Sequence, residues 1–175
     1  MSERMNAPQV RIKPWGDADL ALLRLINAPE MMEHLGGSET EAQILDRHKR
    51  YLEIGGRGTG RMFRIVLLSS LETVGSVGYW DSFWQKETVY EIGWSVLPTF
   101  QGRGIATEAV AEAITHASTE HKHRFIHAFP SINNPASNAI CRKLDFLFIG
   151  ECDFEYPPGS IMQCNDWRLE ITKKS

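Results

Sequence analysis

A chain of 175 residues with a formal net charge of −3 is long enough to bury one well-packed core, and nothing in its composition calls for two domains. That charge gives no electrostatic footprint for nucleic acid, and no run approaches the roughly 20 apolar residues that span a bilayer. Met1-Ser2-Glu3-Arg4 lacks the apolar core of a secretory signal, so the expectation is a single domain over 1–175, cytoplasmic, binding neither membrane nor nucleic acid.

Residues 9–15 alternate apolar Val10 and Ile12 with polar neighbours and read as a first strand stopped at Pro14. Asp17 can cap a helix whose stripe runs through Leu20, Leu23, Leu25, Ile26, Met31 and Met32, broken at Pro29 and closed by Gly36-Gly37. Ser38 with Glu41 makes a capping-box pattern for a second helix carrying Ile44, Leu45, His48, Tyr51 and Leu52 on one face. Within it, Arg47-His48-Lys49-Arg50 reads as a solvated face. Gly55 to Gly60 precedes a strand instead of joining strand to helix, so it is expected to be a flexible turn and not a phosphate loop. Strands follow over 62–69, 74–84 and 89–97, the last two joined at Gln85-Lys86-Glu87. Ile105, Ala109, Val110, Ala113, Ile114 and Ala117 then recur at helical spacing. Residues 124–131 read as a strand, 134–145 as a helix, and 146–154 with 161–171 as two last strands around Pro157-Pro158-Gly159. The order is that of an α+β domain with a mixed, mostly antiparallel sheet flanked by helices.

The most informative run is Gln101-Gly102-Arg103-Gly104-Ile105-Ala106, which joins a strand to a helix. Two glycines let the main chain turn sharply and approach a ligand, while free first-turn amides and the positive helix end attract an anion such as a pyrophosphate. Arg103 can add a charged donor. Neither a Gly-x-x-x-x-Gly-Lys-Ser/Thr loop nor a dinucleotide fingerprint fits, since Thr107 stands where the latter needs glycine. On the preceding strand, alternation puts Glu91 with Val89, Gly93, Ser95 and Leu97, opposite Tyr90, Ile92, Trp94 and Val96. Such a carboxylate is either a surface group or a base aimed into a cleft. His127, with a reference pKa near 6.5, is the second candidate base, or a structural histidine. Cys141, Cys152 and Cys164 are odd in number and lack Cys-x-x-Cys spacing, so neither a disulfide framework nor a metal site is expected, and none is read as a nucleophile.

The segment from Tyr90 to Ala109 resembles the acetyl-coenzyme A-binding core of the GCN5-related N-acetyltransferases, in particular their ribosomal-protein alanine acetyltransferase-like branch. Its hallmark Gln/Arg-x-x-Gly-x-Gly/Ala is met by Gln101, Gly104 and Ala106. A second block, Asn134-Pro135-Ala136-Ser137 through Lys143-Leu144-Asp145-Phe146, follows at the family's distance, and Pro29 to Gly37 is similar too. Asp145 departs from the pattern, which usually has Gly before Phe.

The resemblance implies the acetyltransferase (GNAT) fold, with the strands carrying Val96 and Phe125 splayed to admit a pantetheine arm. It implies direct transfer of an acetyl group from acetyl-coenzyme A to a primary amine, of a peptide N-terminus or a small metabolite, by a monomer or homodimer. Val96, Leu97, Gln101, Gly102, Arg103, Gly104, Ile105, Ala106 and Asn134 would bind the cofactor. Glu91 would take the amine proton through water. Ser137 would protonate the thiolate, or only cap its helix, and Tyr156 is a distant substitute for the tyrosine that this helix lacks. Trp80, Phe83, Trp84, Tyr90 and Trp94 would wall the acceptor cleft, pack in the core or form a dimer seam. The alternative is a non-catalytic acyl-coenzyme A-binding sensor or interaction module, in which Glu91 and Ser137 are dispensable.

Overall fold

The computed structural model describes residues 8–172. Its strands are β1 (Val10–Pro14), β2 (Gly60–Leu67), β3 (Glu72–Trp84), β4 (Glu87–Val96), β5 (Phe125–Ala128), β6 (Leu147–Glu155) and β7 (Ile161–Glu170). Its helices are α1 (Leu20–Ile26), α2 (Pro29–Met32), α3 (Glu41–Arg57), α4 (Ile105–Glu120) and α5 (Pro135–Lys143). All seven strands form one sheet of order β1-β2-β3-β4-β5-β7-β6. Every neighbouring pair is antiparallel except β4 and β5, which α4 joins by the crossover that parallel strands require. This is the mixed, mostly antiparallel sheet flanked by helices that the sequence leads one to expect.

Period-two patterning sends β3 and β4 side chains to two different cores. Tyr79, Tyr90 and Ile92 pack with Ile105, Ala109, Val110, Ala113 and Ala117 of α4 and Cys141 of α5. Alanines every fourth residue give α4 a flat stripe, so its axis can lie close to the sheet; Ile105 and Val110 supply bulk, each contributing about 1.5–3 kcal/mol by burial. On the opposite face Trp15, Leu22, Leu23, Ile26, Ile44 and Met62 form a second cluster, against which Trp80 and Tyr51 pack. Glu91 belongs by alternation to this second face, beneath α1–α3. No helix among the described residues is long and apolar enough to cross a membrane.

Three local readings are corrected. Helix α3 is capped by Thr40, whose Oγ1 accepts from the Gln43 amide at 3.2 Å while Gln43 Oε1 accepts from the Thr40 amide at 2.8 Å. The Ser38 and Glu41 pattern is two residues early, because Ser38 instead donates to the Asn27 carbonyl at 2.8 Å. Gly55, Gly56 and Arg57 are not a turn but the last turn of α3, which ends at Gly58 in the left-handed conformation. At the other early cap, Asp19 and not Asp17 holds the chain, its Oδ2 accepting from the Gly16 amide at 2.7 Å.

Asp145 explains itself in the structure. The Asp145 amide donates to Arg142 O at 3.1 Å and the Phe146 amide to Cys141 O at 3.0 Å, the two bonds of a Schellman end to α5. That end requires a left-handed residue, and Asp145 takes φ 66°. Aspartate tolerates this conformation better than most residues but worse than glycine, and its charge opposes the helix dipole there. Asp145→Gly should therefore raise stability by about 0.5–1 kcal/mol in denaturant melts, with Asp145→Asn recovering the part due to charge.

Candidate active site

Strands β4 and β5 pair only at Tyr90 with Ile126 and Glu91 with His127, then part. Pro130, two residues beyond β5, has no amide to donate to a ladder. The chain there follows β7 instead, with the Asn165 amide donating to Pro130 O at 2.9 Å and the Ile132 amide to Gln163 O at 3.2 Å. The Leu97 amide donates to Val74 O at 2.9 Å, so Leu97 makes its bonds toward β3. Alternation along the unbroken β3–β4 register then turns the backbone groups of Trp94 and Val96 toward the gap. A linear amide-bearing ligand laid in the gap can satisfy them as a surrogate strand.

The gap opens into a cleft of about 560 Å³. Its floor is the β4 segment from Glu91 to Val96, with Gln101, Ala106, Asn134, Ser137 and Ile140 along one reach. Along the other lie residues of α1–α3, Trp80, Phe129, Phe154 and Tyr156. Within the cleft, Gly93 gives Trp80 its room: a Cβ there would stand 3.0 Å from the indole and press the ring off the strand. The aromatic set expected at this wall divides. Trp80 and Trp94 line the cleft, Tyr90 is buried with its hydroxyl donating to Glu120 at 3.0 Å, Trp84 donates to Asp166 at 3.0 Å, and Phe83 is exposed.

Of the expected cofactor residues, Val96, Gln101, Ala106 and Asn134 line the cleft, whereas Leu97, Gly102, Arg103, Gly104 and Ile105 do not. Gln101 acts as a brace, its amide nitrogen donating to Val96 O at 2.8 Å. Ile105 is buried in the core, so only its backbone can face a ligand. Gly102 and Gly104 adopt φ 76° and 81°, conformations that glycine enters without strain. The first helical bond of α4 runs from the Glu108 amide to Gly104 O at 3.2 Å, so the amides ahead of it point out of the helix end. Gln101 and Ala106 flank this turn and both face the cleft, which sets the turn's exposed amides at its margin. Arg103 is exposed beside them, its guanidinium 5.5 Å from the Phe100 ring centroid.

Glu91 lies in the cleft with its carboxyl pushed up to about 7 by burial, against the opposing hydrogen bonds of Trp80 and Ser82. His127 lies opposite it in register but outside the cleft lining, with Nδ1 2.6 Å from Asp166 Oδ1 and its ring stacked on Phe129. Asn134, not Ser137, caps α5: its Oδ1 accepts from the Ser137 amide at 3.2 Å. Ser137 itself lines the cleft. Arg47, expected on a solvated face, instead points inward, held by Glu39, Tyr51 and Tyr156, while Lys49 and Arg50 are exposed. The missed signal was the spacing of Ile44, Arg47 and Tyr51, which places all three on one helix face.

An amide-lined gap, a cleft continuous with it and a glycine turn at a helix N-terminus together fit a long pantetheine chain ending in phosphates. A family model described as the acetyltransferase (GNAT) domain matches residues 9–147. The chain belongs to that family. It is accordingly an acetyl-coenzyme A-dependent N-acetyltransferase. Its fold is that of an acetyltransferase of Salmonella typhimurium that modifies the N-terminal serine of a 50S ribosomal subunit protein, at 20% identity and TM-score 0.78 over 93% of this chain and 95% of that one. It is also that of yncA from Salmonella typhimurium, solved with acetyl-CoA, at 18% identity and TM-score 0.75 over 95% and 96%. Spermidine N-acetyltransferase from Vibrio cholerae, solved with CoA and spermine, matches at 16% identity and TM-score 0.74 over 93% and 95%. These likenesses concern the fold; the three proteins do not share one acceptor.

Two outcomes follow for this acetyltransferase. Valine at position 104 would place a branched Cβ at a left-handed φ, while the nearest neighbour, Pro8, stays at 3.6 Å, so the damage falls on the turn and not on packing. Gly104→Val should fold but lose most of the thermal protection given by coenzyme A, which for wild type is about 2.7 kcal/mol at 100 times Kd. An unchanged ligand-induced melting shift would remove the turn from the cofactor site. The thiols of Cys141, Cys152 and Cys164 are pushed up to about 12, 11 and 12 by burial and are protonated at neutral pH. Each Cys→Ala variant should retain turnover, and mass spectrometry should find no acetyl-cysteine forming and decaying at the catalytic rate.

Proposed function

We propose that this enzyme acetylates a primary amine by direct attack within a ternary complex, with Glu91 as general base. The supporting observation is a carboxyl in the cleft whose burial poises it near neutral pH, where a base works best. Bound acetyl-coenzyme A supplies an acyl carbon already activated as a thioester. Trp94 and Val96 offer backbone groups to the pantetheine amides, and the amides from Gly102 to Ala106, with Arg103, face its phosphates. Asn134 keeps its Nδ2 donors for the same ligand while its Oδ1 caps α5. An ammonium ion has no lone pair, so Glu91 must take its proton, directly or through one water, before attack. Ser137, which lines the cleft from the first turn of α5, would protonate the departing thiolate. The acceptor is the amine of a peptide N-terminus or of a small metabolite. A purely binding or sensing role gives no reason for a cleft carboxyl that burial drives upward and that no cation offsets.

Glu91→Gln keeps the shape and removes the basicity. Turnover at pH 7 should fall by roughly 10²- to 10⁴-fold with little change in coenzyme A affinity. Wild-type kcat/KM should rise with pH through about 7, as the base deprotonates, and the variant should lack that limb. Stability runs the other way. A carboxyl raised from 4.5 to about 7 on folding favours the native state most below pH 4.5, and that contribution is lost as pH rises through 7. Glu91→Gln should therefore be more stable than wild type at pH 8, by at most about 3 kcal/mol, the advantage shrinking toward pH 5. Wild-type turnover and pH profile in a folded variant would assign the base elsewhere.

A further inference from the structure

Arg47 organises a cluster in the cleft that the transfer step does not use. Its Nε and Nη2 donate to the two Glu39 carboxylate oxygens at 2.7 and 2.8 Å. Nη2 also donates to the Tyr156 hydroxyl at 2.9 Å, and Nη1 to the Tyr51 hydroxyl at 3.2 Å. All four residues line the cleft, with Tyr51 on α3 and Tyr156 just beyond β6. The two phenols therefore come from two different walls and meet on one guanidinium.

A phenol that accepts one hydrogen bond still has its own proton to give, and accepting from a cation makes it a stronger donor. Among the described residues, neither phenol hydroxyl donates to a protein group; each accepts from Arg47. The pair thus presents two O–H donors to the cleft. A ligand's ammonium cannot answer them, because it too is only a donor. The partner must be an acceptor oxygen. A carboxylate is disfavoured, since Glu39 cancels the Arg47 charge and Glu30, Glu33 and Glu91 line the same cleft. A neutral carbonyl meets the donors without that repulsion.

We propose that Tyr51 and Tyr156, held by Arg47, form a carbonyl-oxygen subsite that selects peptide N-termini over free amino acids and simple amines. The assignment rests on the acetyltransferase reading of the cleft and sharpens it: the α-amine goes to Glu91 and a backbone carbonyl of the same peptide to the phenols. Tyr51 and Tyr156 are specificity residues, touching the acceptor away from the reacting atoms, and Arg47 is a positioning residue that acts through them.

The test compares three acceptors, alanyl-alaninamide, alanine and ethylamine, in wild type, Tyr51→Phe, Tyr156→Phe and the double variant. Each variant is referred to wild type with the same acceptor, so differences in amine basicity cancel. Loss of one phenol donor should lower kcat/KM for alanyl-alaninamide about tenfold, mainly through KM, and change ethylamine less than about twofold. Equal losses for both acceptors, or none for the peptide, would overturn the subsite. Calorimetric binding of alanyl-alaninamide to the coenzyme A-loaded protein gives a second reading independent of turnover. About tenfold or more weaker binding to the double variant supports the subsite, and binding equal to wild type overturns it. If no amine is acetylated by wild type the catalytic reading fails, and calorimetry still decides the subsite.

Discussion

The site depends on the failure of β4 and β5 to stay paired beyond Glu91. In the middle of a sheet an unpaired amide or carbonyl costs about 1–3 kcal/mol unless water or a ligand replaces the lost partner. The chain accepts that cost because Pro130 cannot extend the β5 ladder and because the segment after β5 finds its bonds on β7. The gap sets the direction in which a linear ligand can lie. The glycine turn lies at one end of it, and Glu91 stands at the last paired position.

The same gap governs electrostatics. Two of the glutamates that line the cleft, Glu39 and Glu91, are driven in opposite directions. Glu39 is held below the usual carboxylate range by its bidentate bonds to Arg47, despite partial burial, with Arg50 adding to the effect. Glu91 has no cationic partner among the causes of its shift, and burial drives it upward. Burial also opposes the charge on Arg47, but Glu39 and the two phenols outweigh it and hold the guanidinium protonated. A permanent ion pair on one wall and a neutralisable carboxyl on the floor give the cleft one fixed and one titrating element.

Much of this was legible along the chain. Helical spacing marked α4, because alanine and isoleucine recur every third or fourth residue there. Strand alternation put Glu91 on the correct face, opposite Tyr90 and Ile92, because β4 runs without a bulge against β3. Capping was legible in kind but not in place: Thr40 and Gln43 satisfy the same chemistry as Ser38 and Glu41, and only Asn27, distant in sequence, draws Ser38 away. The glycines at the end of α3 misled because their low helical propensity is overridden by a left-handed cap at Gly58.

By itself, the sequence determined the family and the order of elements, since these are carried by residue type and near-neighbour spacing. Tertiary structure decided which atoms are available to a ligand. It committed the Gln101 side chain to Val96, the Asn134 carbonyl oxygen to its own helix and the Leu97 amide to β3, and it turned the backbone of Trp94 toward the gap. It also joined Arg47 to Tyr156 across 109 positions of sequence. Each donor hydrogen or acceptor lone pair can be spent only once, and where it is spent depends on which distant segment folds beside it.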